Sequence, residues 1–209
     1  MKLLGYGEDA LTLWALTRQL DTILSELPGS SKAQNCEVLY RPSFGRKGGK
    51  KGAQFGEFDF ILLTERAVFL GESKWDRSPE EIRDGALNLR QEQKDRHKII
   101  RFYIDRFAFG RYKTWAEFRA AEASGFAEGE FGKALAPDGS LLASNLEHVL
   151  LRIRKRFDSP PEIIDVLLYL HKNREEASLP SKGPKGFQVV RLDYSKALEG
   201  NGNMIAFEI

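Results

Sequence analysis

Two apolar stretches separated by three polar residues constrain the fold of this chain more than any other feature of its sequence. Phe58–Leu63 and Ala67–Trp75 are rich in the aliphatic and aromatic residues that favour β-strands. Only Thr64-Glu65-Arg66 lies between them, and so short a polar segment favours a direct reversal of the chain. We therefore expect these stretches to form an antiparallel hairpin.

The loop of this hairpin determines which side chains face each other, because side chains alternate between the two faces along a strand. A loop of two or four residues gives one register, and a loop of three residues shifts that register by one. The first register pairs Leu63 with Val68, Ile61 with Leu70, Asp59 with Glu72, and Glu57 with Lys74.

Two acidic residues would meet at the end of the hairpin in that register. Asp59 and Glu72 would face each other beside apolar residues, and two like charges placed in this way destabilise a hairpin. A divalent cation would relieve the repulsion, and Lys74 would assist. The other interpretation is that both acids are exposed strand ends and that Lys74 pairs with Glu57. The spacing alone leaves both interpretations open.

The remaining patterns predict a mixed α/β domain. Ser78, followed by Pro79 and Glu81, has the pattern of a helix N-terminus. Helices are expected over residues 8–27, from Ser78 to about Phe107, over Thr114–Ala123 and over Leu142–Phe157. Further strands are expected at Glu37–Tyr40, Glu162–His171, Phe187–Leu192 and Met204–Ile209.

The composition excludes several classes of protein. Hydrophobic residues make up 42% and charged residues 30% of the 209 residues, as in ordinary globular domains. No apolar run approaches the roughly 20 residues that span a bilayer. Cys36 is the only cysteine, so neither an internal disulfide nor a cysteine-based zinc site can form. We expect one cytoplasmic domain over residues 1–209, without a signal peptide and without membrane contact.

Basic residues concentrate in a glycine-rich segment that precedes the hairpin. No acid occurs between Val38 and Gly56, whereas Arg46, Lys47, Lys50 and Lys51 supply positive charge there. Such a cluster either binds phosphates or forms a solvated surface. The segment lacks the spacing of a P-loop.

The hairpin residues resemble the signature of a known enzyme family. Asp59, twelve intervening residues and then Glu72-Ser73-Lys74 at the end of an apolar strand are similar to the D-x(n)-E-x-K motif of the PD-(D/E)xK nucleases. The opening GEFDFILL resembles Holliday-junction resolvases, and the strand ending in E-x-K-aromatic resembles nuclease-related (NERD-type) domains. The resemblance implies a restriction endonuclease-like core, in which a central mixed sheet is flanked by helices. Extra helices would be inserted before the fourth core strand.

The resemblance also implies an activity. Asp59, Glu72 and the backbone carbonyl of Ser73 would bind Mg²⁺ or Mn²⁺, and Lys74 would position or activate the attacking water. The chain would hydrolyse DNA phosphodiester bonds, as a restriction-type or a repair and recombination endonuclease. The basic segment would contact DNA phosphates, and cutting of both strands would favour a homodimer. The alternative is a nucleic-acid-binding module on the same fold that has lost catalysis.

Two weaker candidates come from positions that the family often uses. In this family an acid on the first helix often completes the metal site, and Glu8 resembles that acid. Helical phase instead favours Asp9, because Asp9 shares an apolar stripe with Leu13. A glutamine often follows the motif on the next helix, and Gln93 interrupts an apolar stripe there. A buried glutamine needs polar partners, which an active site would provide.

Overall fold

The predicted hairpin forms two neighbouring strands of a five-stranded mixed sheet. The computed structural model describes residues 1–29, 31–45, 52–128, 131–199 and 204–208, and within them the chain is mixed α/β with five α-helices. The strands are β1 Lys2–Tyr6, β2 Glu37–Tyr40, β3 Ser43–Phe44, β4 Gly56–Glu57, β5 Phe60–Leu63, β6 Ala67–Trp75, β7 Ile82–Arg83, β8 Ala86–Leu87, β9 Glu162–His171, β10 Phe187–Asp193 and β11 Met204–Glu208. The helices are α1 Gly7–Arg18, α2 Leu20–Glu26, α3 Gln91–Tyr103, α4 Trp115–Glu128 and α5 Leu141–Arg156.

The chain divides into two compact units. The first unit consists of Met1–Tyr40, Asp59–Leu89 and Ile164–Ile209, and the second consists of Arg41–Phe58 and Arg90–Ile163. Each unit therefore combines segments that are distant in the sequence.

The five-stranded sheet belongs to the first unit and has the strand order β10-β9-β6-β5-β2. β5 runs antiparallel to both β2 and β6, and β10 runs parallel to β9. In the hairpin Leu63 pairs with Val68 and Ile61 pairs with Leu70, which confirms the predicted register of this part. Every residue of β5 is buried, so both faces of this strand are covered.

The first helical segment of the chain covers the sheet. The predicted helix over residues 8–27 is interrupted at Gln19, whose φ of −125° and ψ of 17° are not helical, so it forms α1 and α2. Leu11, Ala15 and Ile23 of these helices are buried in one apolar cluster with side chains of β5, β6, β9 and β10. This cluster is the core of the first unit, and it holds the N-terminal turn of α1 near the end of β6.

A two-stranded sheet joins the two ends of the described chain. β1 pairs antiparallel with β11, although the sequence patterns predicted β11 only as a closing strand and did not predict β1. Gly5 of β1 allows α1 to approach closely, because a Cβ atom there would lie 2.7 Å from the Ala10 Cβ. Ile205, which is paired with Gly5, is buried in the core of the first unit.

The prediction that a helix begins at Ser78 is wrong. β7 and β8 form a small hairpin there, and α3 begins only at Gln91. Asp84 and Gly85 both have positive φ, at 51° and 71°, as a two-residue hairpin turn requires. The Asp-Gly turn therefore overrides the local pattern of a helix N-terminus.

The second unit has an aromatic core between its helices. The ring of Tyr103 at the end of α3 stacks on Trp115 of α4 with centroids 5.7 Å apart, and Phe118 lies 5.3 Å from Trp115. The predicted helix over 142–157 is observed as α5, where the Ser140 hydroxyl accepts a hydrogen bond from the Ala143 N–H. Among the described residues, no helix is both long enough and apolar enough to cross a membrane.

Candidate active site

The carboxyl end of β6 holds three polar residues in a buried position. Glu72 is 1% exposed, Ser73 is not exposed, and Lys74 is 7% exposed. These residues are buried because β6 is the middle strand of the sheet, with β5 on one side and β9 on the other. Charged groups are seldom buried unless they have partners or a ligand. The contacts of these residues therefore determine what this end of the strand can do.

Asp59 lies immediately before β5 and reaches the end of β6. Its Oδ2 accepts a hydrogen bond of 2.7 Å from the Ser73 N–H. Burial and, to a smaller extent, the negative charge of Glu72 together raise the pKa of Asp59 to about 7. The Ser73 N–H and the Lys74 ammonium act in the opposite direction, and Glu8 adds a smaller negative influence. Glu72 is thus close enough to Asp59 to disfavour the ionised form of Asp59.

Lys74 carries the positive charge of this cluster. Its Nζ donates to the Ser73 carbonyl oxygen at 2.7 Å and to Glu8 Oε1 at 3.2 Å. The Lys74 side chain is only 8% exposed and that of Glu8 is 26% exposed, so the ion pair is largely removed from solvent. The ammonium group is consequently held in a defined position rather than moving freely on its long side chain.

Glu8 connects α1 to the segment that follows β6. Its Oε2 accepts from the Ser78 hydroxyl at 2.6 Å and from the Trp75 N–H at 3.3 Å. The Ser78 Oγ in turn accepts from the Trp75 N–H at 3.0 Å. Both carboxylate oxygens of Glu8 are thereby used to fix Lys74 and the residues after it.

Helix packing places the two acids of α1 in different surroundings. Glu8 faces the end of β6, whereas Asp9 is exposed and its backbone carbonyl accepts a hydrogen bond from the Tyr40 hydroxyl. Leu16 and Ile23 of the predicted stripe are buried, but in the first turns of α1 the buried residues are Ala10, Leu11 and Thr12 rather than Asp9 and Leu13. The helical phase predicted from the sequence was therefore wrong for this first turn.

The pairing of Glu57 with Lys74 is also wrong. Glu57 belongs to β4, where it pairs with Ser43, and its Oε1 accepts from the Arg41 guanidinium at 2.8 Å. The ladder between β5 and β6 ends at Phe60, because the chain bends at Asp59 and leaves the sheet. The predicted register therefore holds only from β5 onward.

Gln93 has a local role at the start of α3. It is half-buried in the second unit, and its Oε1 accepts from the Arg90 N–H at 3.1 Å. This bond satisfies one of the backbone donors that helix starts leave without intrahelical partners. The polar residue in the apolar stripe is thus explained by helix capping, and its predicted catalytic role stays a prediction.

The predicted DNA-contacting residues Arg46, Lys47, Lys50 and Lys51 lie outside the described residues. Within the described part of the chain, no group of three or more His, Cys, Asp or Glu side chains is arranged to hold a metal ion. Any metal site here would consist of the two carboxylates of Asp59 and Glu72, completed by a backbone oxygen or by water. Such a donor set suits Mg²⁺, which uses one or two carboxylates and retains several waters.

Ser78 is a member of this cluster that the sequence patterns did not identify as a site residue. Its pattern with Pro79 and Glu81 indicated a helix cap, whereas its hydroxyl bridges Glu8 and Trp75. No local signal identifies such a role, because Ser78 and Glu8 are 70 residues apart.

Together the cluster offers two mutually repelling carboxylates and one fixed ammonium group, which can bind a cation and an anionic ligand side by side. In comparisons with known proteins, no family model, no curated protein and no solved structure matches this chain.

Proposed function

We propose that this chain is a metal-dependent nuclease that hydrolyses DNA phosphodiester bonds with a PD-(D/E)xK active site. The observation that carries the proposal is the meeting of Asp59, Glu72 and Lys74 at one end of β6. Burial is the main cause of the raised pKa of Asp59, the nearby charge of Glu72 adds to it, and Lys74 acts in the opposite direction. Three residues chosen by motif spacing thus form one electrostatic cluster.

The order of elements supports a restriction endonuclease-like fold. That core consists of a helix, three antiparallel strands, a helix and a fourth strand. Here α1 and α2 precede the antiparallel strands β2, β5 and β6, and three helices then precede β9. The Asp76 N–H donates to the Leu170 carbonyl at 2.9 Å, so β6 and β9 have their carboxyl ends side by side. Ligand sites of α/β sheets commonly occur at such ends.

The residues at the end of β6 fit a divalent cation. Burial and the charge of Glu72 disfavour the ionised form of Asp59, and a cation bound by the two carboxylates would offset that cost. Asp59 and Glu72 would hold Mg²⁺ or Mn²⁺, with the Ser73 carbonyl as a further oxygen donor. When bound, such a cation supplies Lewis acidity toward phosphoryl oxygens and makes a nearby water a stronger acid. Glu8 already uses both carboxylate oxygens, which favours a role in positioning Lys74 over the predicted role as a metal ligand.

Lys74 would act directly on the phosphodiester. Its Nζ is fixed by the Ser73 carbonyl and Glu8, so the positive charge is in place before a phosphate arrives. A fixed cation in a poorly solvated site stabilises the charge that develops on the phosphate in the transition state. The same ammonium group can orient the attacking water.

Nicking of supercoiled plasmid DNA, with Mg²⁺ or with EDTA, tests the proposal. We expect the wild type to cut only with the metal, and Asp59→Ala and Lys74→Ala to lose at least about 100-fold in rate. Lys172→Ala is the matched control, because Lys172 is an exposed lysine of the same unit. This control should cut like the wild type.

Two results would contradict the proposal in different ways. Undiminished cutting by Asp59→Ala would show that the site is misassigned. DNA binding without cutting, in Mg²⁺ as well as Mn²⁺, would favour the alternative of a nucleic-acid-binding module that lacks catalysis.

A further inference from the structure

An exposed aromatic side chain stands beside the candidate active site. One face of the β1–β11 sheet packs on α1 through Gly5 and Ile205. Tyr6 points to the other face of this sheet, because side chains alternate along a strand, and it is 61% exposed. Tyr6 is the last residue of β1, two positions before Glu8. The ring therefore adjoins the helix turn that holds Lys74.

Tyr6 belongs to a small cluster that also contains a tryptophan and an arginine. The rings of Tyr6 and Trp75 are perpendicular, with centroids 6.1 Å apart. The guanidinium carbon of Arg77 lies 5.6 Å from the centre of the Trp75 ring. Trp75 follows Lys74 directly, and its backbone N–H donates to Glu8. We call Tyr6, Trp75 and Arg77 the aromatic cluster.

The composition of the aromatic cluster indicates the chemistry of a ligand. Trp75 is partly buried against the core of the first unit, so its packing explains its presence. The same explanation fails for Tyr6, which meets Trp75 in an edge-to-face contact and remains mostly exposed. Exposed aromatic rings combined with basic side chains are the arrangement that proteins use to stack the bases of single-stranded nucleic acids. A paired base could not reach such a ring, because both of its faces are covered within the duplex.

We propose that the aromatic cluster binds an unpaired nucleobase of DNA next to the phosphodiester that is cut. The substrate would then be single-stranded DNA, or DNA with a frayed or branched end, rather than intact duplex. The base would stack on Tyr6, and Arg77 would contact the adjoining phosphate or the base. This substrate class rests on the proposed nuclease function.

Another occupant of the same face is a second copy of the chain. Leu4 and Met204 are 51% and 48% exposed, and they lie with Tyr6 on the outer face of the β1–β11 sheet. Arg77, which is exposed beside Trp75, favours an anionic ligand over an apolar one. The test therefore distinguishes base binding from dimerisation through this face.

The test is fluorescence-anisotropy binding of a labelled single-stranded oligodeoxynucleotide in EDTA, with a duplex of the same sequence in parallel. We expect the wild type to prefer the single strand, and Tyr6→Ala to weaken its binding roughly 5- to 100-fold, as loss of one base stack does. Tyr6→Phe keeps the ring and should bind within about twofold of the wild type. Arg77→Lys keeps the charge but loses the planar group, and should weaken binding less than Tyr6→Ala.

Leu4→Ala is the matched control, because it removes an exposed apolar side chain from the same face without removing a ring. An oligonucleotide with abasic sites sharpens the assignment, since wild type and Tyr6→Ala should bind it equally. Equal weakening by Tyr6→Ala and Leu4→Ala, or sedimentation as a dimer that Tyr6→Ala dissociates, would overturn the base subsite. Binding of duplex as tight as that of single strand would overturn it as well.

The results of cutting assays distinguish failure of the base subsite from failure of the nuclease function. Metal-dependent cutting by the wild type, with Tyr6→Ala equally active on single strands, overturns the subsite and leaves the nuclease function standing. Failure to bind or cut any DNA overturns both proposals.

Discussion

Replacing Asp59 by asparagine should stabilise the folded protein, by an amount that grows as the pH rises toward the pKa of Asp59 and is constant above it. Burial and the nearby charge of Glu72 raise the pKa of Asp59 from 3.8 to about 7. Asparagine cannot ionise, and its carbonyl can still accept the hydrogen bond from the Ser73 N–H. The variant therefore removes the cost of burying a negative charge while it keeps the local geometry.

The direction and size of the effect follow from proton linkage. Because the folded state holds the proton of Asp59 more tightly than the unfolded chain, ionisation costs stability as the pH rises from about 4 to about 7. The gap between a pKa of 3.8 and one of about 7 corresponds to about 4 kcal/mol of unfolding free energy at most. The advantage of Asp59→Asn over the wild type should be smallest near pH 4.5. It should reach its maximum above pH 7.

Urea denaturation followed by circular dichroism, in EDTA between pH 4.5 and 8.5, measures this difference. Asp21→Asn is the matched control, because Asp21 is exposed and its Oδ1 likewise accepts a backbone hydrogen bond, from Ala33. The free energy of unfolding of Asp21→Asn should change with pH in the same way as that of the wild type. A constant difference between Asp59→Asn and the wild type from pH 4.5 to 8.5 would refute the idea that burial and Glu72 disfavour the ionised carboxylate.

Three further predictions test the site and the fold. Glu8→Gln removes the anionic partner of Lys74, so kcat for DNA cutting should fall at least tenfold with little change in KM. The neighbouring residue Asp9 is exposed, and Asp9→Asn should leave kcat and KM unchanged. Gly71→Ala would place a Cβ atom 2.1 Å from the Phe60 ring, so the free energy of unfolding, measured by thermal denaturation, should fall by at least about 1–3 kcal/mol. At Gly125 in α4 a Cβ atom meets nothing within 4 Å, so Gly125→Ala should raise the free energy of unfolding by up to about 1 kcal/mol. Ser140→Ala should cost about 1 kcal/mol in urea, since the α5 cap is lost, and no loss there would contradict the capping contact.

Local sequence signals were sufficient for the centre of the sheet. The hairpin of β5 and β6 could be predicted with its register because its loop is short and its apolar residues are contiguous. α5 and β9 were predicted nearly to their ends for the same reason, since a helical apolar pattern and a β-branched apolar run are local signals. The motif residues Asp59, Glu72 and Lys74 could be selected because they flank this hairpin.

Signals that compete locally were harder to weigh. The segment after β6 contains a helix-start pattern at Ser78 and a hairpin turn at Asp84-Gly85, and the second prevails. The Ser78 hydroxyl is already used by Glu8 and Trp75, so it cannot cap a helix. Both patterns are visible in the sequence, but only tertiary contacts decide between them.

The sequence by itself determined which residues make the strands of the candidate site and which of their side chains are charged. Tertiary structure alone decided what those charges contact. Glu8 meets Lys74 across 66 residues, and β1 pairs with β11 from opposite ends of the chain, which sets Tyr6 beside Trp75. Such contacts depend on how the core packs α1 against the sheet, and no local pattern records that packing.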